Sequence, residues 1–264
     1  MADLVTVRRD GDLAQVRLNR PDKLNSLTID TLEQLVATAH GLAQDRSLRG
    51  VLLGGEGRAF CAGLDFATVM ADPGRITVAF AADEVRGTNL FQEACWAWRR
   101  IPVPVVAAVH GHCLGGGLQI ALAADYRITT AEATWSVLEA KWGLIPDMSG
   151  VRALSQQVGL DVAKRLTMTG ELIDGTRAVA LGLASEVAQD PYAAGAELLA
   201  QIATRSPDAV AAAKRLFDQT WFTDEGYVFS RERVEQAALL QAPNTAIAQR
   251  VAAGETVAYQ PRQS

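Results

Sequence analysis

The hydrophobic and polar positions along the chain predict strands and helices that alternate through its first half. Residues 4–8 and 13–18 alternate apolar and polar around an Asp-Gly-Asp turn, which is typical of a β-hairpin. Apolar positions recur at helical spacing over residues 28–45, after a threonine that can cap the helix. The apolar runs at 51–53 and 103–109 predict buried strands. This order of elements predicts an α/β fold.

The pattern becomes mostly helical after the middle of the chain. A helix is predicted over residues 84–100, whereas residues 67–83 show no clear period and suit a loop over a site. We expect Pro243 to end the helical part and residues 255–264 to form a loose tail. Further helices are predicted over residues 150–158, 160–169, 174–182, 191–205, 206–220 and 224–241.

Composition narrows the classes of function. The 264 residues are 49% hydrophobic and 21% charged, as in an ordinary globular protein. A net charge of −5 without a basic run argues against nucleic acid or a membrane surface as a partner. Three scattered cysteines suit neither a disulfide framework nor a zinc site. With no signal-like start and no apolar run of membrane-spanning length, the sequence predicts a soluble, cytoplasmic protein.

A glycine-rich stretch, residues 110–119, joins the predicted strand at 103–109 to a predicted helix at 118–124. Glycines before a helix leave backbone N–H groups that can stabilise an anion or an oxygen that becomes anionic. A tight turn, in which the glycines only permit close packing, explains the same residues. His110 and His112 lie beside the glycines, but without a nearby third ligand they favour packing over metal binding.

Two carboxylates lie among apolar neighbours in the sequence. Glu139 is surrounded by tryptophan, valine and leucine, and Asp147 follows a Leu-Ile-Pro run. Desolvation raises the pKa of such acids, which suits proton transfer near neutral pH. The alternatives are that Lys141 pairs with Glu139 and that Pro146 and Asp147 form an ordinary turn with a cap.

Four segments resemble those of the enoyl-CoA hydratase/isomerase (crotonase) superfamily. Residues 59–65 (AFCAGLD), 110–117 (HGHCLGGG) and 141–147 (KWGLIPD) are similar to its three signatures. Residues 20–27 (RPDKLNSL) are similar to its N-terminal coenzyme A segment. The segments occur in the family's order, and the likeness extends from about residue 4 to residue 250.

The resemblance implies an α/β fold of the crotonase type, a spiral of repeated ββα units with a helical C-terminal region for trimerisation. We divide the chain accordingly into a core, residues 1–195, and a helical region, residues 196–264. The substrate implied is an acyl-CoA thioester, with no separate cofactor because coenzyme A is part of the substrate, and no metal. A homotrimer or a dimer of trimers is the implied assembly.

The resemblance also implies roles for individual residues. The backbone N–H groups of Leu64 and Gly116 correspond to the family's oxyanion hole, where each donor contributes about 3 kcal/mol to catalysis. Residues of the coenzyme A site correspond to Lys23, Leu24 and Ala62.

The predicted catalytic residues are Glu139, Asp147 and Gln119. A typical hydratase of the family has a glutamate where this chain has Gln119, and an amide does not exchange protons at neutral pH. We therefore favour double-bond isomerisation, with Glu139 as principal acid/base, Asp147 as second proton carrier or as a group that tunes Glu139, and Gln119 as a positioning group. Hydration of a 2-enoyl-CoA is the alternative. A non-catalytic acyl-CoA-binding scaffold is the alternative of another class. The aromatic residues Phe91, Trp96 and Trp98 are candidates for the acyl pocket, although they suit the core equally well.

Overall fold

The computed structural model describes residues 3–263, and its elements alternate through the first half as predicted. Short 3₁₀ turns lie at Pro21–Lys23 and Leu138–Trp142. The strands are β1 (Val5–Asp10), β2 (Leu13–Leu18), β3 (Gly50–Gly55), β4 (Val105–Val109), β5 (His112–Leu114), β6 (Tyr126–Thr129), β7 (Thr134–Ser136), β8 (Ile173–Asp174) and β9 (Glu186–Val187). The helices are α1 (Ile29–Gln44), α2 (Phe66–Val69), α3 (Pro73–Phe80), α4 (Leu90–Arg100), α5 (Gly116–Ala123), α6 (Gly150–Gln157), α7 (Leu160–Thr169), α8 (Gly175–Leu181), α9 (Pro191–Ala203), α10 (Pro207–Thr220), α11 (Glu225–Gln241) and α12 (Pro243–Ala252).

The main sheet has the strand order β1-β2-β3-β4-β6-β9. Strands β1 and β2 pair antiparallel, with Val5 opposite Leu18, as the alternating pattern predicts. The remaining neighbours pair parallel. Parallel sheets are covered on both faces, which explains why β3 and β4 have uninterrupted apolar sequences.

Strand β4 shows how both faces of the main sheet are buried. Successive side chains of a strand point to opposite faces. Val105 and Ala107 accordingly belong to the large core with α1, α4 and α5. Val106 and Ala108 instead pack with Leu199 of α9 in a smaller core on the opposite face.

A smaller sheet has the order β5-β7-β8. Strand β5 follows β4, strand β7 follows β6, and the two pair parallel with Cys113 opposite Trp135. Each of these strand pairs is followed by a helix, which gives the units β4-β5-α5 and β6-β7-α6. The two sheets therefore advance together, one strand of each per unit, and this is the predicted spiral of ββα units.

The predicted helix over residues 84–100 is wrong at its beginning. Helix α4 begins at Leu90, because the Asn89 side chain caps it by accepting a hydrogen bond of 2.9 Å from the N–H of Gln92. The apolar period of the preceding residues does not reveal this cap.

Residues 67–83, which we interpreted as a loop, contain most of α2 and the whole of α3. The Asp72 side chain caps α3 by accepting a hydrogen bond from Arg75, and Pro73 occupies the first helical position. Helix α3 exposes Val78 and Phe80, and such apolar residues on the solvent side obscure the helical spacing of apolar and polar positions that would predict it.

Two predictions at the end of the chain are also wrong. Pro243 begins α12 rather than ending the helical part, because its fixed φ suits a first helical position. The tail is held rather than loose. The N–H of Gln263 donates to Asp208 Oδ1 at 2.7 Å, and the N–H of Gln260 donates to Asn244 Oδ1 at 2.8 Å.

Helices α9 to α12 make up the C-terminal helical part. Helix α9 continues through residue 195, so the predicted boundary between core and helical region falls within it. Met1 and Ala2 of the predicted core and Ser264 of the predicted tail lie outside the described residues. Over residues 3–263, none of the helices is both long and apolar enough to cross a membrane.

Candidate active site

The glycine-rich stretch forms the turn between β5 and α5. Gly115 has φ +51°, a left-handed conformation that favours glycine, and it precedes the first helical residue, Gly116. A Cβ on Gly115 would lie 3.4 Å from Glu139 Oε1. The turn thus brings the backbone at the N-terminus of α5 against a carboxylate from a distant part of the chain.

A second segment reaches the same place from the end of β3. Leu27 and Leu64 form a parallel bridge, in which the N–H of Leu27 donates to Gly63 O at 2.8 Å. The N–H of Asp65 donates to Leu27 O at 2.9 Å, and the N–H of Leu64 is left outside the bridge. Among residues 3–263, neither the N–H of Leu64 nor that of Gly116 has an acceptor. These are the two donors predicted from the resemblance.

Leu64 and Gly116 line one cavity of about 330 Å³ together with the three predicted catalytic residues. The structure therefore brings the five predicted groups to one place. The rest of the described lining is apolar and consists of Phe66, Val69, Met70, Ile76, Phe80, Phe91, Leu144, Ile145 and Met148.

Glu139 lies in the 3₁₀ turn after β7 and is only 8% exposed. Its Oε1 accepts a hydrogen bond of 2.6 Å from Gln119 Nε2, and its Oε2 has no hydrogen-bond partner in the part of the chain that the structure describes. Burial raises the pKa of Glu139, and the nearby Asp147 charge adds to this, although the Gln119 hydrogen bond opposes it. Lys141 is exposed beside the Trp142 ring, so the alternative in which it pairs with Glu139 is wrong.

Gln119, on α5, is 1% exposed and its amide is fixed at both ends. Its Oε1 accepts hydrogen bonds from the N–H groups of Met148 (2.8 Å) and Gly150 (3.0 Å). These acceptor contacts leave Nε2 as the atom that faces Glu139. Gln119 therefore positions Glu139 and joins it to the segment that begins α6.

Asp147 is half-buried in the loop before α6, and burial raises its pKa. The N-terminal cap residue of α6 is Ser149, so the interpretation of Asp147 as a helix cap is wrong. The cavity thus contains two carboxyl groups whose pKa values are both raised. Such groups exchange protons closer to neutral pH than ordinary carboxyls do.

Two of the three residues predicted to contact coenzyme A, Leu24 and Ala62, are hydrogen-bonded to each other near Leu64. Leu24 and Asn25 have φ values of +51° and +56°, and the N–H of Ala62 donates to Leu24 O at 2.9 Å. Leu24 and Ala62 are thereby joined two residues before Leu64. Lys23 is exposed, so its ammonium group is accessible to a phosphate.

Asn25 holds the turn that carries Leu24, a supporting role that the sequence alone did not reveal. It is 1% exposed, and its Nδ2 donates to Glu56 O (2.9 Å) and Ala59 O (2.8 Å). Arg20 supports the same turn, since its Nη1 lies 2.7 Å from Asp65 Oδ2. The signal available in the sequence is an asparagine in a turn, where this residue tolerates the left-handed conformation.

Two of the three aromatic candidates lie elsewhere. Phe91 lines the cavity, whereas Trp98 is fully buried in the core and Trp96 lines a separate cleft beside α10. His110 hydrogen-bonds Gly57 O at 2.9 Å and contacts Tyr192, which fits the packing interpretation. A search of residues 3–263 finds no group of three or more metal-ligating side chains.

The family model described as enoyl-CoA hydratase/isomerase matches residues 8–241. An enoyl-CoA hydratase structure from Mycobacterium smegmatis is 29% identical with a TM-score of 0.83, over 98% of each chain. A Thermobifida fusca structure in complex with CoA is 31% identical with a TM-score of 0.77, over 90% of this chain and 93% of that one. A carnitinyl-CoA dehydratase from Proteus mirabilis is 32% identical over 85% of this chain and 84% of its own length. The fold is therefore that of the crotonases. The chain belongs to the enoyl-CoA hydratase/isomerase family and is an enzyme that acts on acyl-CoA.

Proposed function

We propose that this enzyme moves the double bond of an enoyl-CoA between the β,γ and α,β positions through a thioester enolate. The observation that carries the proposal is the environment of Glu139. One of its carboxylate oxygens is held by Gln119, and the other has no partner among the described residues. A base of this kind can take a proton and return it without a second glutamate.

The groups in the cavity are sufficient for each proton transfer of this reaction. Glu139 removes a proton from the α-carbon of a 3-enoyl-CoA, and the electron pair moves onto the thioester oxygen. The N–H groups of Leu64 and Gly116 stabilise that negative charge as it forms. The carboxylic acid then returns the proton to the γ-carbon, the electron pair restores the carbonyl, and the product is a 2-enoyl-CoA.

Gln119 favours this single-base chemistry. Two carboxylates only 2.6 Å apart would share a proton, since both cannot ionise at that distance. The amide N–H donates to Glu139 instead and favours its ionised form. Asp147 lies on the same cavity and serves as the second proton carrier or tunes the pKa of Glu139.

Hydration of a 2-enoyl-CoA is the second candidate. The observation that favours it is that Asp147 supplies a second carboxyl to the cavity, which can hold a water while Glu139 acts. A short-chain-enoyl-CoA hydratase from Clostridium acetobutylicum, 29% identical over 81% of each chain, supports this candidate by its name.

Purified protein assayed separately with a 3-enoyl-CoA and a 2-enoyl-CoA distinguishes the two. We expect conversion of the 3-enoyl substrate, which is measured by the absorbance of the conjugated product. Hydration of the 2-enoyl substrate together with inertness toward the 3-enoyl substrate would reject isomerisation. Absence of turnover with every acyl-CoA, unchanged in Glu139→Gln, would favour the non-catalytic scaffold.

We also propose that the enzyme works as a homotrimer or a dimer of trimers. Helices α10 and α11 and the residue that follows α10 expose large apolar side chains, including Phe217, Trp221, Phe229 and Leu240. A monomer gains nothing from exposing so many, and association would bury them. The molar mass from light scattering after size-exclusion chromatography tests this, and a monomer at micromolar concentration would contradict it.

A further inference from the structure

The cavity that contains Glu139 is polar at one end only. Among its described lining residues, polar side chains come from Gln119, Glu139 and Asp147 alone, and the first two are hydrogen-bonded to each other. The remaining wall is built from aliphatic, aromatic and methionine side chains of α2, α3, α4 and the loop before α6. A polar group on the distal part of an acyl chain would lose its water there and find no partner.

The size of the cavity limits what it can enclose. A water molecule occupies about 30 Å³ of the liquid, and a methylene group is of similar size. The volume of about 330 Å³ therefore holds roughly ten acyl carbons. A sixteen-carbon chain does not fit inside it.

Phe80 and Phe91 form one part of the apolar wall. Their ring centroids are 4.8 Å apart and both side chains line the cavity. Phe91 is 3% exposed on α4, whereas Phe80 is 51% exposed at the end of α3. The pair thus reaches from the core to the surface, and Phe80 lies at the edge where the cavity wall meets solvent.

We infer that the substrate is an apolar acyl-CoA of about six to ten carbons without a polar group at its distal end, and that Phe80 sets the upper limit of chain length. This inference rests on the proposed function, because it assigns the acyl group to the same cavity. It concerns binding alone and does not depend on which reaction follows.

Calorimetric titration with saturated acyl-CoAs tests the inference without turnover, because these compounds can be neither isomerised nor hydrated. Each buried methylene contributes about 0.8 kcal/mol, so octanoyl-CoA should bind at least 10-fold more tightly than butanoyl-CoA. Hexadecanoyl-CoA, used below its micelle-forming concentration, should gain little over octanoyl-CoA. Octanedioyl-CoA, which ends in a carboxylate, should bind at least 10-fold more weakly than octanoyl-CoA.

Equal affinity for octanoyl-CoA and octanedioyl-CoA, or a continued gain up to sixteen carbons, would overturn the inference and leave the proposed reaction standing. Failure of every acyl-CoA to bind would reject both. Turnover of enoyl-CoA together with a flat binding series would reject the inference alone.

A matched pair of variants tests the role of Phe80. Phe80→Ala should remove this part of the wall, let a longer chain continue past it, and raise the affinity for hexadecanoyl-CoA relative to octanoyl-CoA by at least fivefold. Val78→Ala lies on the same helix, where Val78 is 75% exposed and does not line this cavity, so the ratio should stay unchanged. Equal ratios in the two variants, with melting curves showing both folded, would contradict the assignment.

Discussion

Glu93 and Glu139 are both buried glutamates, but their surroundings drive their pKa values in opposite directions. Glu93, on α4, is 4% exposed, and Glu139 is 8% exposed. Glu93 lies within 2.8 Å of each of three donors: Thr88 Oγ1, His40 Nε2 and Arg100 Nη1. Glu139 accepts one hydrogen bond, from Gln119.

Burial alone does not decide the pKa of these two glutamates, because the hydrogen-bond and charge partners of each carboxylate act on it as well. Burial pushes both pKa values upward and is the largest influence on each. At Glu93 the hydrogen bonds of Thr88 and His40 and the charge of Arg100 outweigh burial, so its pKa is lowered and it stays ionised. At Glu139 the hydrogen bonds that oppose burial do not outweigh it, so the pKa is raised and the carboxylate takes up a proton more readily. Incomplete partnering, rather than burial alone, is therefore what suits Glu139 to the proton transfer that we propose.

Glu139→Gln should have the largest effect on activity. An amide cannot act as the base, so kcat/KM should fall by about 10²–10⁴-fold. Because the folded-state pKa of Glu139 is raised, its ionisation at neutral pH weakens the fold, and removing it should leave Tm equal or higher. The gain in Tm should shrink as pH falls, since the wild-type carboxyl is then protonated. A variant with lower Tm at pH 7 and normal kcat would show that Glu139 is structural.

Glu93→Gln is the matched variant, with the opposite outcome expected. The amide nitrogen of the variant would face a donor where a carboxylate oxygen accepts in the wild type, and the negative charge that pairs with Arg100 is lost, so unfolding should become easier by about 2–4 kcal/mol in denaturant titrations. The pKa of Glu93 is lowered on folding, so its stabilisation is present above the ordinary pKa of a glutamate and is lost as pH falls through the folded value. The difference between wild type and variant should therefore vanish in acid. Activity of the folded fraction should persist, and its loss would place Glu93 in the reaction.

Gln119→Glu should change the surroundings of Glu139 and leave those of Glu93 as they are. It should place a second carboxylate 2.6 Å from Glu139 Oε1. The N–H groups of Met148 and Gly150 can donate hydrogen bonds to an oxygen of either side chain. The pair should share one proton, and the acid limb of the pH profile of kcat/KM should move upward by about one unit or more. We expect slower isomerisation at pH 7 and more hydration of a 2-enoyl-CoA. An unchanged pH profile would show that Glu139 is not the titrating base.

Lys23→Ala should have the smallest effect, because Lys23 is exposed and acts only through charge. KM should rise by about 3–10-fold with kcat unchanged, and the rise should be smaller at high salt. Lys164→Ala, which removes an exposed lysine of α7 away from the cavity lining, is the control. Equal KM values in the two variants would remove Lys23 from the coenzyme A site.

Much of the fold was predictable because its elements carry local signals. Apolar and polar residues alternate over much of the hairpin of β1 and β2, Thr28 accepts a hydrogen bond from Thr31 at the start of α1, and Gly182 ends α8 with φ +89°. The short strands β7, β8 and β9 were not predicted, because two or three residues are too few to show a period. Their pairing depends on the sheet around them.

The candidate site was predictable in its members but not in its connections. The sequence indicates Glu139, Asp147 and Gln119, and the structure places all three on one cavity. It could not indicate that the backbone of Met148 and Gly150 fixes the Gln119 amide, since such contacts depend on three-dimensional position. Resemblance alone pointed to Leu64, a residue whose side chain carries no chemical signal.

The contacts of Gln119 also have a genetic consequence. Codons for glutamine and glutamate differ only in their first base. The backbone N–H groups that hold residue 119 can donate to an oxygen of either side chain. One nucleotide substitution thus leads from a one-glutamate to a two-glutamate cavity with the loop still anchored. Ancestral lines of this chain could cross between the two kinds of site in either direction without an unfolded intermediate, so residue 119 is a natural place to sample first in directed evolution.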